Sequence, residues 1–300
     1  MQIGLIGLGK MGYNLALNFK SKAHQVMAFD INKTAMESIA NEQVLTMPTI
    51  GDLALAMEGR RIVWLMVPAG NVVDVVLSNL KYHLAPDDIV IDGGNSHFKD
   101  TIVRARDLEK LGIHYLDCGT SGGITGAKNG VCTMIGGKKE IFDYCEPLFK
   151  SISVPNGYLY CGKTGNGHFT KMVHNGIEYG MMQSIAEGME VLNKHDSEVD
   201  LSAVAKVWNH GSVVRSWLME LTQRALEKDK NLESIKGVMH SSGEGKWTVE
   251  TALEMGVPTP VITMSLLMRY RSQQDDTFSG KIVAALRNEF GGHAVEKKKD

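Results

Sequence analysis

The segment Ile3-Gly4-Leu5-Ile6-Gly7-Leu8-Gly9-Lys10-Met11-Gly12 constrains the fold more than any other stretch of this chain. An apolar run suited to a strand passes directly into GLGKMG and then into a helical pattern. Gly7 permits a tight turn, and Gly9, lacking a Cβ, lets backbone approach a pyrophosphate. Gly12 lets the following helix pack on the strand. Free amides and the helix dipole favour an anion there. A GxGxxG alone is weak, but here the next strand-like run ends in Asp30, 23 residues after Gly7, where a carboxylate can accept hydrogen bonds from a ribose diol. Gly7, Leu8, Gly9, Lys10, Met11, Gly12, Asp30 and Asn32 are therefore candidate dinucleotide contacts. Asp30 repels a 2′-phosphate, which favours NAD; Asn32 and Lys33 soften that repulsion, so NADP stays as the alternative.

The rest of the first half alternates β-rich and helical patterns. Strands are expected at 2–7, 25–30, 44–47, 61–67, 88–92 and 113–117, with helices at 11–20, 33–40, 72–81 and 99–111. Further strands at 131–135 and 158–161 flank a helix over 138–150. Strands separated by amphipathic helices imply βαβ units and a parallel sheet covered on both faces. After Gly167 the period changes to helix throughout: 168–195, 200–228, 246–256 and 260–290, with Gly256-Val257-Pro258 as a stop signal. The expected architecture is α/β, an N-terminal Rossmann-type doubly wound parallel sheet followed by an all-α domain. Residues 1–166 form the dinucleotide-binding domain and 167–300 the helical substrate and oligomerisation domain.

Composition removes several classes. Of 300 residues, 43% are hydrophobic and 22% charged, with a formal charge of −2, so no bulk basic field attracts nucleic acid or anionic lipid. The longest apolar run, 62–70, is too short to span a bilayer, and no signal-peptide pattern opens the chain. Cys118, Cys132, Cys145 and Cys161 form no CxxC pair, so neither a zinc site nor a disulfide framework is expected and a reducing cytoplasm is. His24, His83, His114, His195, His210 and His240 read as surface or structural.

The most informative stretch is Gly165-Asn166-Gly167-His168-Phe169-Thr170-Lys171-Met172-Val173-His174-Asn175-Gly176-Ile177-Glu178-Tyr179. Lys171, His174, Asn175 and Glu178 stand at i, i+3, i+4 and i+7, on one helix face. Lys171 and Glu178 are about 10 Å apart along the axis, room for a substrate a few carbons long. A solvated face would stay polar, yet this one continues as Met182, Ile185 and Met189, while Phe169, Met172, Val173, Ile177 and Met181 cover the other side. A helix apolar on nearly every side is buried, and buried polar groups are costly without a purpose. Such a helix also needs more cover than the remaining helices give, which implies a homo-oligomer with 168–195 near the interface. Two loops, Asp92-Gly93-Gly94-Asn95-Ser96 and Asp117-Cys118-Gly119-Thr120-Ser121-Gly122-Gly123, fall where a doubly wound sheet places its site, or are simply turns.

GLGKMG, DGGNS, TSGG and above all GNGHFTKMVHNGIEYG resemble the decarboxylating 6-phosphogluconate dehydrogenases of the β-hydroxyacid dehydrogenase superfamily, over essentially the whole chain. The resemblance implies Lys171 as general base and Glu178 as general acid. It implies substrate contacts from Asn95, Ser121, Gly122, Gly123, His174, Asn175, Tyr179 and Arg269, and from Arg287 and His293 in a tail that enters a neighbouring subunit. Asn95, Val67, Pro68 and Ala69 are expected beside the cofactor. Ile31 stands where an NADP-binding arginine is usual, which supports NAD. The chain looks like the short form, and Ser242 replaces the lysine usual four residues before Lys246.

The implied reaction is oxidation and decarboxylation of 6-phosphogluconate to ribulose 5-phosphate, a pentose phosphate step, with no metal. For Lys171 to act as a base near neutrality its ammonium must be disfavoured by burial, and Glu178 should not pair with it directly. A non-decarboxylating enzyme of 3-hydroxyisobutyrate or tartronate semialdehyde type is one rival. It needs neither enediol protonation nor phosphate ligands, against Glu178, Tyr179, Arg269 and Arg287. A non-catalytic NAD-sensing module is the other; it needs no titratable pair on a buried face.

Overall fold

The computed structural model describes residues 1–196 and 199–297. It divides into two compact units, Met1–Asn175 and Gly176–Asp300. The first opens with β1 (Gln2–Ile6), α1 (Lys10–Ser21), β2 (Gln25–Phe29), α2 (Lys33–Asn41), β3 (Leu45–Thr46) and α3 (Ile50–Leu55). It continues with β4 (Ile62–Leu65), α4 (Asn71–Leu80), β5 (Ile89–Asp92), α5 (Phe98–Glu109) and β6 (His114–Ser121). Then come α6 (Gly123–Asn129), β7 (Val131–Gly136), α7 (Lys139–Ile152), β8 (Ser153–Gly162) and the first turns of α8 (Asn166–Lys194).

All eight strands join one sheet in the order β3-β2-β1-β4-β5-β6-β7-β8. Every residue of β4 and β5 is buried, as expected of central strands covered on both faces. Trp64 on β4 packs its indole against Phe19 of α1 and Phe149 of α7, with centroids 5.3 and 5.8 Å away. The strand pairs are parallel except β6 and β7, which run antiparallel. A parallel return needs a crossover of a dozen or more residues, and the link holding the seven-residue α6 is shorter than that. Neither α3 nor α6 was expected from periodicity, because each is under two turns long.

The second unit is helical: the remainder of α8, then α9 (Leu201–Gly211), α10 (Trp217–Lys228), α11 (Glu244–Glu254), α12 (Pro260–Ser272) and α13 (Phe278–Gly291). The patterns at 200–228 and 260–290 each resolve into two helices. Ser216 starts α10 as an N-cap, its Oγ accepting from the Met219 amide at 3.1 Å, while Asn209 Oδ1 accepts the Ser216 amide. Thr277 caps α13 in the same way through the Gly280 amide. A small core joins Met189, Ala205 and Met219, whereas α13 buries no residue at all. Among the described residues no helix is long and apolar enough to cross a membrane.

Candidate active site

The glycine loop connects β1 to α1. Gly7 has φ +103°, and a Cβ there would lie 2.4 Å from the Met66 carbonyl oxygen. At Gly12 a Cβ would sit 2.0 Å from the Gly7 oxygen, so α1 can approach the strand only with glycine there. Gly9 meets nothing within 4 Å. Its space is open, which fits the approach of a ligand to the amides at the start of α1. Asp30 directly follows β2 and faces this loop. Its Oδ2 accepts from the Leu8 amide at 2.5 Å and its Oδ1 from the Asn32 amide at 2.7 Å. Asn32 in turn caps α2 through the Ala35 amide, and Ile31 between them is 92% exposed. Lys10, Pro68 and Ala69 are exposed and Met11 and Val67 half-buried, at the same ends of β1 and β4.

The second loop leaves β5. Asp92 is fully buried, and its carboxylate accepts from the Gly94 amide (3.1 Å), the Ser96 hydroxyl (2.6 Å) and the Tyr115 hydroxyl (2.8 Å). Burial first, and then Asp92, push the Tyr115 phenol well above its ordinary pKa, so it stays a donor. Arg104 of α5 binds Asp74 at 2.6 Å and the Gly70 carbonyl at 2.9 Å. Arg104 also reaches the Ser96 hydroxyl at 3.5 Å, which with the Asp92 bonds braces the loop, and Asn95 projects from it exposed.

The third loop ends β6, and α8 packs directly over that strand. A Cβ at Gly119 would lie 2.3 Å from Lys171 Cβ, and one at Gly167 would lie 2.6 Å from the Asp117 carbonyl oxygen. Glycine at both positions is what brings the lysine down onto the sheet. Lys171 and Asn175 are 6% and 8% exposed, with His174 half-buried between them. The His174 ring meets Ser121 Oγ at 3.3 Å through Nε2; its Nδ1 is 2.9 Å from Asn175 Oδ1 and 3.4 Å from Lys171 Nζ. One ring nitrogen carries either a proton or a lone pair, so Nδ1 serves Asn175 as donor or Lys171 as acceptor, and the two states differ by a proton shift. The structure thus brings together Ser121, Lys171, His174 and Asn175, with Gly122 and Gly123 at the strand's end.

Glu178 and Tyr179 follow on the part of α8 that belongs to the second unit. Glu178 is half-buried. Tyr179 is 6% exposed and lies between Gly245, where a Cβ would meet the ring at 2.5 Å, and the Arg269 guanidinium, 3.6 Å from the ring centroid. Arg269 also donates to the His240 carbonyl at 2.7 Å, which fixes its orientation. Ser242 donates to Oε2 of buried Glu244 at 2.5 Å; Glu244 Oε1 has no hydrogen-bond partner among the described residues. Arg287 and His293 lie on and just after α13, exposed, where the Asn288 amide side chain donates to the His293 carbonyl.

Two residues were not singled out from the sequence. His168 is 2% exposed and Asp117 fully buried, and both hold the start of α8. Stepping the polar stripe back by three from Lys171 reaches His168, so that signal was present. Asp117 opens one of the two loops noted in the sequence, but nothing local marked its role, since its partners are 48 and 51 residues away. On α8 Met172 is buried, while Ile177 and Met181 are 52% and 41% exposed in the single chain.

A Rossmann-type sheet with an open glycine loop, continued by an all-helical unit, is the architecture of a dinucleotide-binding protein. The chain belongs to the 6-phosphogluconate dehydrogenase family. Residues 2–162 match the NAD-binding domain of 6-phosphogluconate dehydrogenase and residues 167–300 its C-terminal domain. YqeC of Bacillus subtilis is 55% identical over 99% of this chain and all of its own length. The NAD(+)-dependent, decarboxylating 6-phosphogluconate dehydrogenase of Haloferax volcanii is 42% identical, with both chains covered completely. Among solved structures, the Plasmodium falciparum 6-phosphogluconate dehydrogenase superposes with a TM-score of 0.84 at 31% identity, over 100% of this chain and 67% of that one.

Proposed function

We propose that this chain oxidises and decarboxylates 6-phosphogluconate to ribulose 5-phosphate and carbon dioxide, with NAD as the preferred cofactor. The observation that carries the reading is Lys171, buried at the start of α8 against the glycine strand β6 and beside His174, Asn175 and Ser121. A family relative named as NAD(+)-dependent and decarboxylating supports it.

The loop amides at the start of α1, with Asp30, would hold the dinucleotide, and the room at Gly9 fits its pyrophosphate. NAD, when bound there, would supply the acceptor for the hydride that leaves C3 of the sugar acid. Neutral Lys171 removes the proton from the 3-hydroxyl. As an ammonium it then polarises the 3-carbonyl while the C1 carboxylate leaves as carbon dioxide, so no metal is required of this chain. Glu178 donates a proton to C1 of the resulting enediol. The reading needs Lys171 neutral before turnover; its side chain is 6% exposed, and burial disfavours a charged amine. Asn95, Ser121, Gly122, Gly123, His174 and Asn175 hold the sugar acid. Tyr179 and Arg269 receive its phosphate, with Arg269 the fixed cation in a segment where Ser242 brings none.

The cofactor preference rests on Asp30, whose charge is held at the loop by two amides, and on Ile31, which offers no cation to a 2′-phosphate. The Plasmodium enzyme is described in complex with NADP+, so the preference belongs to individual members. Val67, Pro68, Ala69 and Asn95 complete the cofactor side. The four cysteines are free, and burial pushes the thiols of Cys118 and Cys145 up, which fits a reducing cytoplasmic setting.

A homo-oligomer fits the second unit. Phe278, Ile282, Leu286 and Phe290 recur every four residues along α13 and are 45–79% exposed. Ile177, Met181, Val213, Val214 and Val261 line an apolar groove of about 430 Å³ in the same unit. A second copy covers such surfaces and carries Arg287 and His293 into a neighbouring site. Turnover of 6-phosphogluconate with NAD and then NADP, against unphosphorylated hydroxy acids, tests the whole reading. No turnover of 6-phosphogluconate with either cofactor would end it.

A further inference from the structure

Lys171 and the Asn95 loop come from elements far apart in sequence, and one buried side chain ties them. His168 sits one turn before Lys171 on the same helix face. Its ring Nε2 lies 3.1 Å from the Asp92 carbonyl oxygen, at the root of the Asp92–Ser96 loop. A carbonyl only accepts, so Nε2 carries the proton. In a neutral ring Nδ1 is then a lone pair, 2.7 Å from the Thr101 hydroxyl of α5, which is placed to donate to it. The His168 amide donates to Asp117 Oδ2 at 2.9 Å, while Asp117 Oδ1 accepts the Gly165 amide at 2.8 Å. A carboxylate on β6 therefore caps α8 from outside the helix, using the position and sign the helix dipole favours.

We infer that His168, locked as the neutral Nε2–H tautomer by Thr101 and Asp92, is a positioning residue that fixes the height and rotation of Lys171 against the Asn95 loop, with Asp117 as its anchor. The inference rests on the reading of Lys171 as the base. Neither His168 nor Asp117 touches the reacting atoms. They act by holding the first turn of α8 to β5, α5 and β6 at once. Displacing a catalytic group by about 1 Å costs about a hundredfold in rate, so a bond that sets one end of the helix acts on turnover rather than on ground-state binding.

The test is a matched pair at Thr101, fully buried, where valine keeps the shape and removes the hydroxyl while serine keeps the hydroxyl. Thr101→Val should lower kcat for 6-phosphogluconate oxidation about tenfold or more, with KM and NAD affinity within about twofold, and Thr101→Ser should restore most of it. Nitrogen-15 NMR of the histidine rings, with the His168 signal assigned by its loss in His168→Gln, should show a protonated Nε2 and a bare Nδ1. The Nδ1 shift should move in Thr101→Val. Wild-type kcat in Thr101→Val, a loss carried by NAD affinity, no rescue by serine, or a protonated Nδ1 would each overturn the inference. A wild-type enzyme silent toward 6-phosphogluconate would instead strike the functional reading, and the ring tautomer would still test the geometry.

Discussion

At the residue scale the site depends on one amine and one carboxylate, the first buried and the second bonded to loop amides. Lys171 is buried among a histidine, an asparagine and a glycine strand, and burial is what allows an amine to lose its proton near neutrality. Lys171→Ala should therefore abolish oxidation while leaving NAD binding intact, as read by a steady-state assay beside calorimetric titration. An equal loss of both would show that the lysine is structural. The Asp30 carboxylate is held at the glycine loop by hydrogen bonds from the Leu8 and Asn32 amides. Hydrogen bonds to a charged group contribute about 1.5–3 kcal/mol. Asp30→Ser should accordingly lower kcat/KM for NAD about tenfold or more while narrowing the gap to NADP. An unchanged cofactor ratio would place the discrimination elsewhere.

At the element scale, the decisive contact is α8 lying on β6. Gly119 lets the two backbones meet, since an added methyl would fall 2.3 Å from Lys171 Cβ, a stiff atom next to the helix backbone. Overpacking of this kind costs about 1–3 kcal/mol. Gly119→Ala should lower the unfolding midpoint and also reduce kcat, because the lysine must move; a loss of stability alone would mean that α8 gives way without shifting its side chains. A second expectation concerns His24, in the turn before β2, which meets Ser151 of α7 at 2.8 Å and the N-terminal amine at 3.2 Å. Burial, then the terminal charge, lowers its pKa below the usual 6.5. The unfolded chain thus binds the proton first, and stability falls as pH drops from about 6.5 through the folded value. His24→Gln should flatten that part of a denaturation-against-pH profile; an unaltered slope would assign the effect to other groups.

At the scale of the whole molecule, the outstanding feature is apolar surface that one chain leaves uncovered. The face of α13 and the groove of the second unit each expose side chains that a globular core would bury. Sizing should find an oligomer, and specific activity should fall on dilution if the Arg287 and His293 tail serves a neighbour. Phe290→Asp should weaken association and activity together. A monomer of full activity would rule out the shared site.

Local periods made much of this protein legible. The glycine loop, the strand–helix alternation and the change to all-helical pattern are properties of neighbouring residues, so the Rossmann-type sheet and the helical half followed from the sequence. The stripe from Lys171 to Glu178 was visible for the same reason, since i, i+3, i+4 and i+7 share a face in any α-helix. Breaks within helical patterns were not, because Ser216 and Thr277 are ordinary polar residues until their hydroxyls cap a following helix. Nor was the antiparallel β6–β7 pair, which the length of the α6 link imposed. Asp117 and the partners of His168 show the limit most clearly. Hydrogen bonds spanning 48 to 76 residues leave no period behind, and only the folded sheet brings their partners within reach.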